Sequence, residues 1–222
     1  PSSADGHLIA FWSTDGSGGA GHLYTYNVST GAVTEIASTT SGAGTLAASI
    51  SADGRYVVYQ STGETGHIEI SLYDVSTGHV MFTTAGANEI LAGDSKNPVI
   101  SPDGHYIIFT STAELVVGDT NAFADTYVVD VTDPSSPIYT LISEGGNAPS
   151  DAGVAISAGG LFVAFGSAAS FSTGSTGNNI FVSDPTSGRS AFIQETLNSP
   201  DQLTAGGTIQ LASVNVLNYF TT

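Results

Sequence analysis

The apolar residues of this chain fall in short unbroken runs: HLIAFW at 7–12, YVVY at 56–59, YIIF at 106–109 and LFVAF at 161–165. Alternation would mark a strand with one wet face, and a repeat near 3.6 would mark a helix. Continuous short runs mark strands covered on both faces. Each run follows a turn: Ser-Ala-Asp-Gly at 3–6 and 51–54, Ser-Pro-Asp-Gly at 101–104, Ser-Ala-Gly-Gly at 157–160, with Thr-Ala-Gly-Gly at 204–207 as a fifth, degraded copy. Asp-Gly suits a tight hairpin because glycine accepts positive φ and aspartate tolerates it. The third residues of these turns are 48, 50, 56 and 47 positions apart, and the long step predicts an insertion around 133–147.

A further strand completes each phrase: LYTYNV (23–28), IEISLYDV (68–75), TYVVDV (126–131) and IFVSD (180–184). Small turns and a less apolar strand follow, as at 80–84 and 138–142, while the segments before the Ser-x-Asp-Gly turns are rich in small residues, as in LAASI (46–50) and VAI (154–156). Small side chains suit strands crowded near an axis. The pattern predicts an all-β β-propeller of four-stranded antiparallel blades, with four to five repeats of about 48 residues. It is read as one domain over 1–222, with repeats 1–44, 45–92, 93–147 and 148–198 and a partial one at 199–222. Blades are expected at 46–84, 98–142 and 154–194, with Tyr56, Val58, Ile107, Phe109, Phe162 and Phe165 buried between them. The first unit has only Pro1 and Ser2 before its turn, and the last ends in the uncharged, β-prone TIQLASVNVLNYF at 208–220. Such a segment needs a partner. Pairing within the chain would close the ring and is the first expectation. Pairing with another chain would make an assembly, and a longer array of which this chain is a fragment is the third option.

The turn Ser-Pro/Ala-Asp-Gly, the aromatic and β-branched strand after it, AELVVGDTN (113–121) and DTYVVD (125–130) together resemble the TolB-like, WD40-like (PD40) β-propeller repeats of bacterial proteins. The resemblance is fullest over 45–131, weaker over 1–44 and 148–194, and faint after Ser199. It implies the propeller fold. It does not choose an activity, because such propellers serve as binding platforms, as peptidase-associated domains and as parts of large surface proteins.

Charge narrows the partners. Twenty acidic residues face three basic ones, Arg55, Lys96 and Arg189, for a net charge of −17. Three cations cannot build a phosphate-binding track, so nucleic acid is not expected as a partner; anionic membrane surfaces are disfavoured for the same reason, no membrane insertion is expected, and cations are favoured. The absence of cysteine rules out disulfides and thiolate sites. No apolar run approaches the ~18 residues that span a bilayer. Abundant Gly, Ser and Thr with one lysine point to an extracellular or cell-surface bacterial protein, with the periplasm as alternative. A secretion signal is then expected to have been removed or to lie outside this sequence.

The sharpest candidate site is GDTNAFAD at 118–125. Asp119, Asn121 and Asp125 offer hard oxygens within one loop, the ligand type of Ca²⁺. The loop is not an EF-hand, and the commoner use of such residues is to cap a turn. No other cofactor is indicated. Asp5, Asp53 and Asp103 recur at one place in the repeat and are read as hairpin residues; Asp74, Asp130 and Asp184 are read as acceptors for turns between blades. The histidines at 7, 22, 67, 79 and 105 form no ligand pattern, and neither a His-Glu-x-x-His nor a Gly-x-Ser-x-Gly motif occurs. Trp12 is read as core. These features favour a non-catalytic interaction or structural propeller whose partner is a protein or surface polymer. One alternative is a self-assembling subunit completed by exchange of terminal strands. Another is a glycosidase-like hydrolase with paired carboxylates, ~5–9.5 Å apart, at an axial mouth.

Overall fold

A computed structural model of the chain describes residues 1–14, 21–39, 47–63, 66–84, 93–143, 146, 148–169 and 179–183. These form four antiparallel sheets, each a meander in chain order. The first contains β1 (Leu8–Thr14), β2 (Gly21–Asn27) and β3 (Val33–Ser38). The second contains β4 (Ala48–Ile50), β5 (Tyr56–Thr62), β6 (Ile68–Asp74) and β7 (His79–Thr83). The third contains β8 (Ser95–Ile100), β9 (Tyr106–Ser111), β10 (Asp125–Asp130) and β11 (Ile138–Leu141). The fourth contains β12 (Ser150–Ile156), β13 (Val163–Ser167) and β14 (Asn179–Ser183). In the first sheet Ser2 bridges Ile9, and the Ala10 N–H donates to the Pro1 carbonyl at 2.9 Å, in the place that β4 and β8 hold in their sheets.

The unbroken apolar runs are explained by radial stacking. In β5, Val57 packs with Ala10, Leu23, Tyr59 and Tyr73 toward the first sheet, while Val58 packs with Ile107, Phe109 and Tyr127 toward the third. In β9, Ile107 and Phe109 face the second sheet and Ile108 joins Ile156, Val163 and Phe165 of the fourth. Consecutive residues thus enter two different cores, and each fully buried Val, Ile or Phe contributes about 1.5–3 kcal/mol. The small-residue strands β4, β8 and β12 lie side by side, with β8 between the other two.

The Ser-x-Asp-Gly turns are built alike and tie the sheets together. In each, the serine hydroxyl donates to the aspartate (Ser3–Asp5 2.6 Å, Ser51–Asp53 2.6 Å, Ser101–Asp103 2.5 Å) and accepts an N–H five residues on (Leu8, Tyr56 and Tyr106, each 3.0 Å). The aspartates therefore serve hairpin geometry. Neighbouring turns join through the residue after serine: Ala4 N–H to the Ala52 carbonyl and Ala52 N–H to the Pro102 carbonyl, both 2.9 Å. Pro102 has no N–H to continue this ladder. Instead, the Gly159 N–H of the fourth turn donates to Asp103 Oδ2 at 2.6 Å. Residues just after each turn seat on the next turn's glycine: Leu8 on Gly54, Tyr56 on Gly104 and Tyr106 on Gly160.

Several expectations need correction. Val58, Ile107, Phe109 and Phe165 are fully buried, but Tyr56 is half-buried and Phe162 is 58% exposed. Phe162 occupies the place of Tyr56 and Tyr106, donating its N–H to Ser157 Oγ at 2.9 Å. The glycine turn at 204–207 that would seat it lies outside the described residues. Ile9 and Phe11, expected under a neighbour, are 37% and 39% exposed on the first sheet's face turned away from the second. The long repeat step arises mainly in the loop 112–124 between β9 and β10, against 63–67 between β5 and β6, and less in the region 133–147. Asp184, the segment 208–220 and the last strand of the fourth repeat lie outside the described residues.

Candidate functional site

The loop 112–124 crosses the rim of the third sheet and turns on itself. The Asp119 N–H donates to the Val116 carbonyl at 3.1 Å, the Asn121 N–H to Asp119 Oδ1 at 3.4 Å and the Phe123 N–H to Asn121 Oδ1 at 2.7 Å. Leu115 and Val116 pack on the core beneath, while Val117 is wholly exposed. Gly93 supports the loop's start closely, since a Cβ there would stand 2.5 Å from the Ala113 nitrogen. Tyr127 of β10, fully buried and stacked 6.0 Å from Phe109, donates its hydroxyl to Asp119 Oδ2. Burial, and then the hydrogen bond to Asp119 and its charge, push that phenol well above its ordinary pKa.

Asp125 opens β10 and is 1% exposed, and Asp119 is 5% exposed. The Ser143 hydroxyl donates to Asp125 Oδ1 at 2.5 Å and accepts the Thr126 N–H at 2.9 Å. Burial raises the Asp125 pKa; Ser143 and the Asn121 side chain oppose the shift, and the charge of Asp119 adds to it. Asn121 thus lies beside this carboxylate, yet Oδ2 itself has no well-aligned hydrogen-bond partner. The structure brings Asp119, Asn121 and Asp125 together, with Asp119 and Asn121 capping N–H groups of their own loop. Tyr127 and Ser143 are the partners that sequence reasoning missed. A signal existed for Ser143: Thr39 and Thr84 hold the same place, accepting the N–H of Gly21 at 2.9 Å and of Ile70 at 3.0 Å.

The other conspicuous polar residues have local partners. Asp74 accepts Ser76 Oγ at 2.5 Å and Arg55 Nη2 at 3.0 Å. Burial opposes its ionisation, but Ser76 and Arg55 outweigh this and hold its carboxyl below the usual range. Asp130 accepts the Thr132 N–H at 2.9 Å, so these third-strand aspartates cap the turn of their own sheet rather than turns between sheets. Asp94 pairs with Lys96 at 2.8 Å and His67 at 3.4 Å, and Lys96 leads in holding its carboxyl low. His22 meets Glu35 at 2.8 Å and His7 meets Asp5 at 3.2 Å. Trp12 packs against the core between the first two sheets. Among the described residues no three acidic or histidine side chains converge, and no helix is long and apolar enough to cross a membrane.

No protein-family model matches the sequence, and no curated protein matches it significantly. Solved structures do match. TolB from Acinetobacter baumannii superposes with a TM-score of 0.57 at 23% identity, over 88% of this chain and 42% of that one. The fold is that of the TolB-like β-propellers. A putative TolB from Agrobacterium tumefaciens (TM-score 0.52, 18% identity) matches 82% of this chain and 59% of its own. The β-propeller domain of the Trilobed protease from Pyrococcus furiosus, described as having an open velcro topology, gives 0.54 at 13% identity, over 83% and 54%. This chain therefore spans less than two thirds of each TolB-like neighbour. At these identities the likeness concerns the fold, and a hydrolase reading rests on fold alone.

Proposed function

We propose that the protein is an interaction or structural β-propeller domain working outside the cytoplasm, at the cell surface or in the extracellular space, with a protein or surface polymer as partner. The observation that carries this reading is the flank of the first sheet, which no described strand covers. Ile9 and Phe11 project there, and the Phe11 ring stacks on Tyr24 with centroids 5.7 Å apart. Between the other sheets the corresponding positions are buried against a neighbouring sheet, so the flank has the chemistry of a sheet-to-sheet contact. Phe162 marks a second such place on the fourth sheet. The β-prone segment 208–220 is the proposed occupant, closing the ring between fourth and first sheets. A second chain is the alternative occupant, through strand addition.

Deleting 208–222 tests this. Closure predicts aggregation or loss of folding of the monomer, and exchange predicts a folded monomer that no longer assembles. A folded truncation with unchanged mass and partner binding would overturn the reading.

A further inference from the structure

We propose that the loop between β9 and β10 holds one hard divalent cation, Ca²⁺ by preference, through Asp119, Asn121 and Asp125. Two carboxylates six residues apart lie buried, Asp119 in the loop and Asp125 where β10 begins, and Asp119 acts on Asp125 as a like charge. Buried charges are costly unless they are paired or bound to metal. Among the described residues the arginine and lysine cations are engaged elsewhere: Arg55 with Asp74 and Lys96 with Asp94. Neither serves this pair.

A separate observation points at a ligand. Asp125 Oδ2 is buried with no well-aligned hydrogen-bond partner, although its twin oxygen is held by Ser143 at 2.5 Å and the Asn121 side chain lies beside the carboxylate. An orphaned anionic oxygen is what a bound cation relieves. The neighbouring groups are arranged in support. Tyr127 engages Oδ2 of Asp119 and leaves Oδ1 with only the long 3.4 Å contact from the Asn121 N–H. Ser143 and Tyr127 thus orient the two carboxylates from behind, as outer partners orient metal ligands.

The donor set chooses the ion. Carboxylates and an amide, with no imidazole or thiolate, suit hard cations. Gly118, Thr120 and Ala122 are exposed, so carbonyls and water at the rim can complete the six to eight oxygens that Ca²⁺ takes. A net charge of −17 enriches cations around the molecule. The competing resolution is a proton kept on Asp125.

The test uses the full chain with Tb³⁺ and Ca²⁺ as probes. Tb³⁺ emission excited through Tyr127 should saturate at one ion per chain and be competed by Ca²⁺. With Ca²⁺ at a hundredfold its Kd the Tm should rise by about 5–10 °C over EDTA. D125N should weaken binding at least tenfold and remove the shift. N121A, at a half-exposed position, gives the same result if D125N folds poorly. A D125N protein as stable as the parent, with no Ca²⁺ response in either, would show that a proton holds the pair and overturn the proposal. Binding that D125N and N121A leave unchanged would assign the ions to the acidic surface at large and overturn it too. A site that takes Mg²⁺ as tightly as Ca²⁺ would overturn the stated preference.

Discussion

Replacing Gly104 by alanine should cost much more than replacing Gly6, although both occupy the fourth position of the same turn. Both backbones are left-handed, with φ of +78° and +69°. That conformation costs a non-glycine residue ~1–2 kcal/mol, and the reduced freedom of the unfolded chain returns ~0.4–1 kcal/mol. A Cβ on Gly6 meets nothing within 4 Å, so Gly6→Ala should stay near ~1 kcal/mol. A Cβ on Gly104 would stand 2.5 Å from Tyr56 Cδ2 and 3.0 Å from Cε2. The Arg55 guanidinium also lies over this ring, 4.8 Å from its centre. Overpacking of this kind adds ~1–3 kcal/mol, which brings Gly104→Ala to roughly 2–4 kcal/mol. In a chain of this size that is a Tm loss of roughly 5–15 °C, against roughly 2–4 °C for Gly6→Ala. Urea and thermal unfolding followed by circular dichroism would measure both, in the parent and in a Tyr56→Ala background. The Gly104 loss should shrink to the Gly6 value once the ring is gone. Equal losses at the two glycines, or a Gly104 loss that ignores Tyr56, would refute the argument that turn glycines seat the preceding sheet.

Three further outcomes are expected. Asp103→Ala should destabilise more than Asp53→Ala, by about 1 kcal/mol in urea unfolding, because only Asp103 also receives an N–H from the next turn. Phe109→Ala, which empties a fully buried site beside Tyr127 and Tyr139, should cost about 3–5 kcal/mol by the same assay. Asp74 has a folded-state pKa below its unfolded value, so its contribution is present above about pH 4 and is lost as pH falls through the lower folded value. Asp74→Asn should therefore flatten the stability profile below about pH 4 and leave its shape between pH 6 and 8 unchanged.

The blades were legible in the sequence because radial stacking leaves a local mark. A strand between two sheets must be apolar at consecutive positions, as Val57 and Val58 are, and its turn must repeat, as Ser51-Ala52-Asp53-Gly54 does. What each repeat meets next was not legible. Phe162 and Phe165 belong to one apolar run, yet one is exposed and the other buried, since burial depends on which turn or sheet lies alongside. Pro102 is one of the small differences between copies of the turn, and its consequence shows only in the fold. Its missing N–H interrupts a ladder that exists only between sheets, and Asp103 takes over the link. In the candidate loop, Asp119, Asn121 and Asp125 were visible as a cluster within one stretch. The orphaned Oδ2 of Asp125 was not, because it depends on what surrounds that carboxylate. Ser143, which follows the neighbouring strand β11, shows only through its equivalence to Thr39 and Thr84. The insertion was misplaced for a related reason: a repeat step gives the total length between two turns and not the connection that holds the surplus.

The account's central claim, that the outer flank of the first sheet is a contact surface, is tested most directly by the labelling rate of a single thiol there. The chain has no cysteine of its own, so F11C reports one position, and V117C at the wholly exposed Val117 gives the reference rate. The account predicts that F11C reacts with a polar maleimide at least tenfold more slowly than V117C in the intact chain, and that this protection follows either the closed monomer or the associated species in mass measurements. F11C and V117C reacting at the same rate at every protein concentration, with partner binding intact, would contradict it.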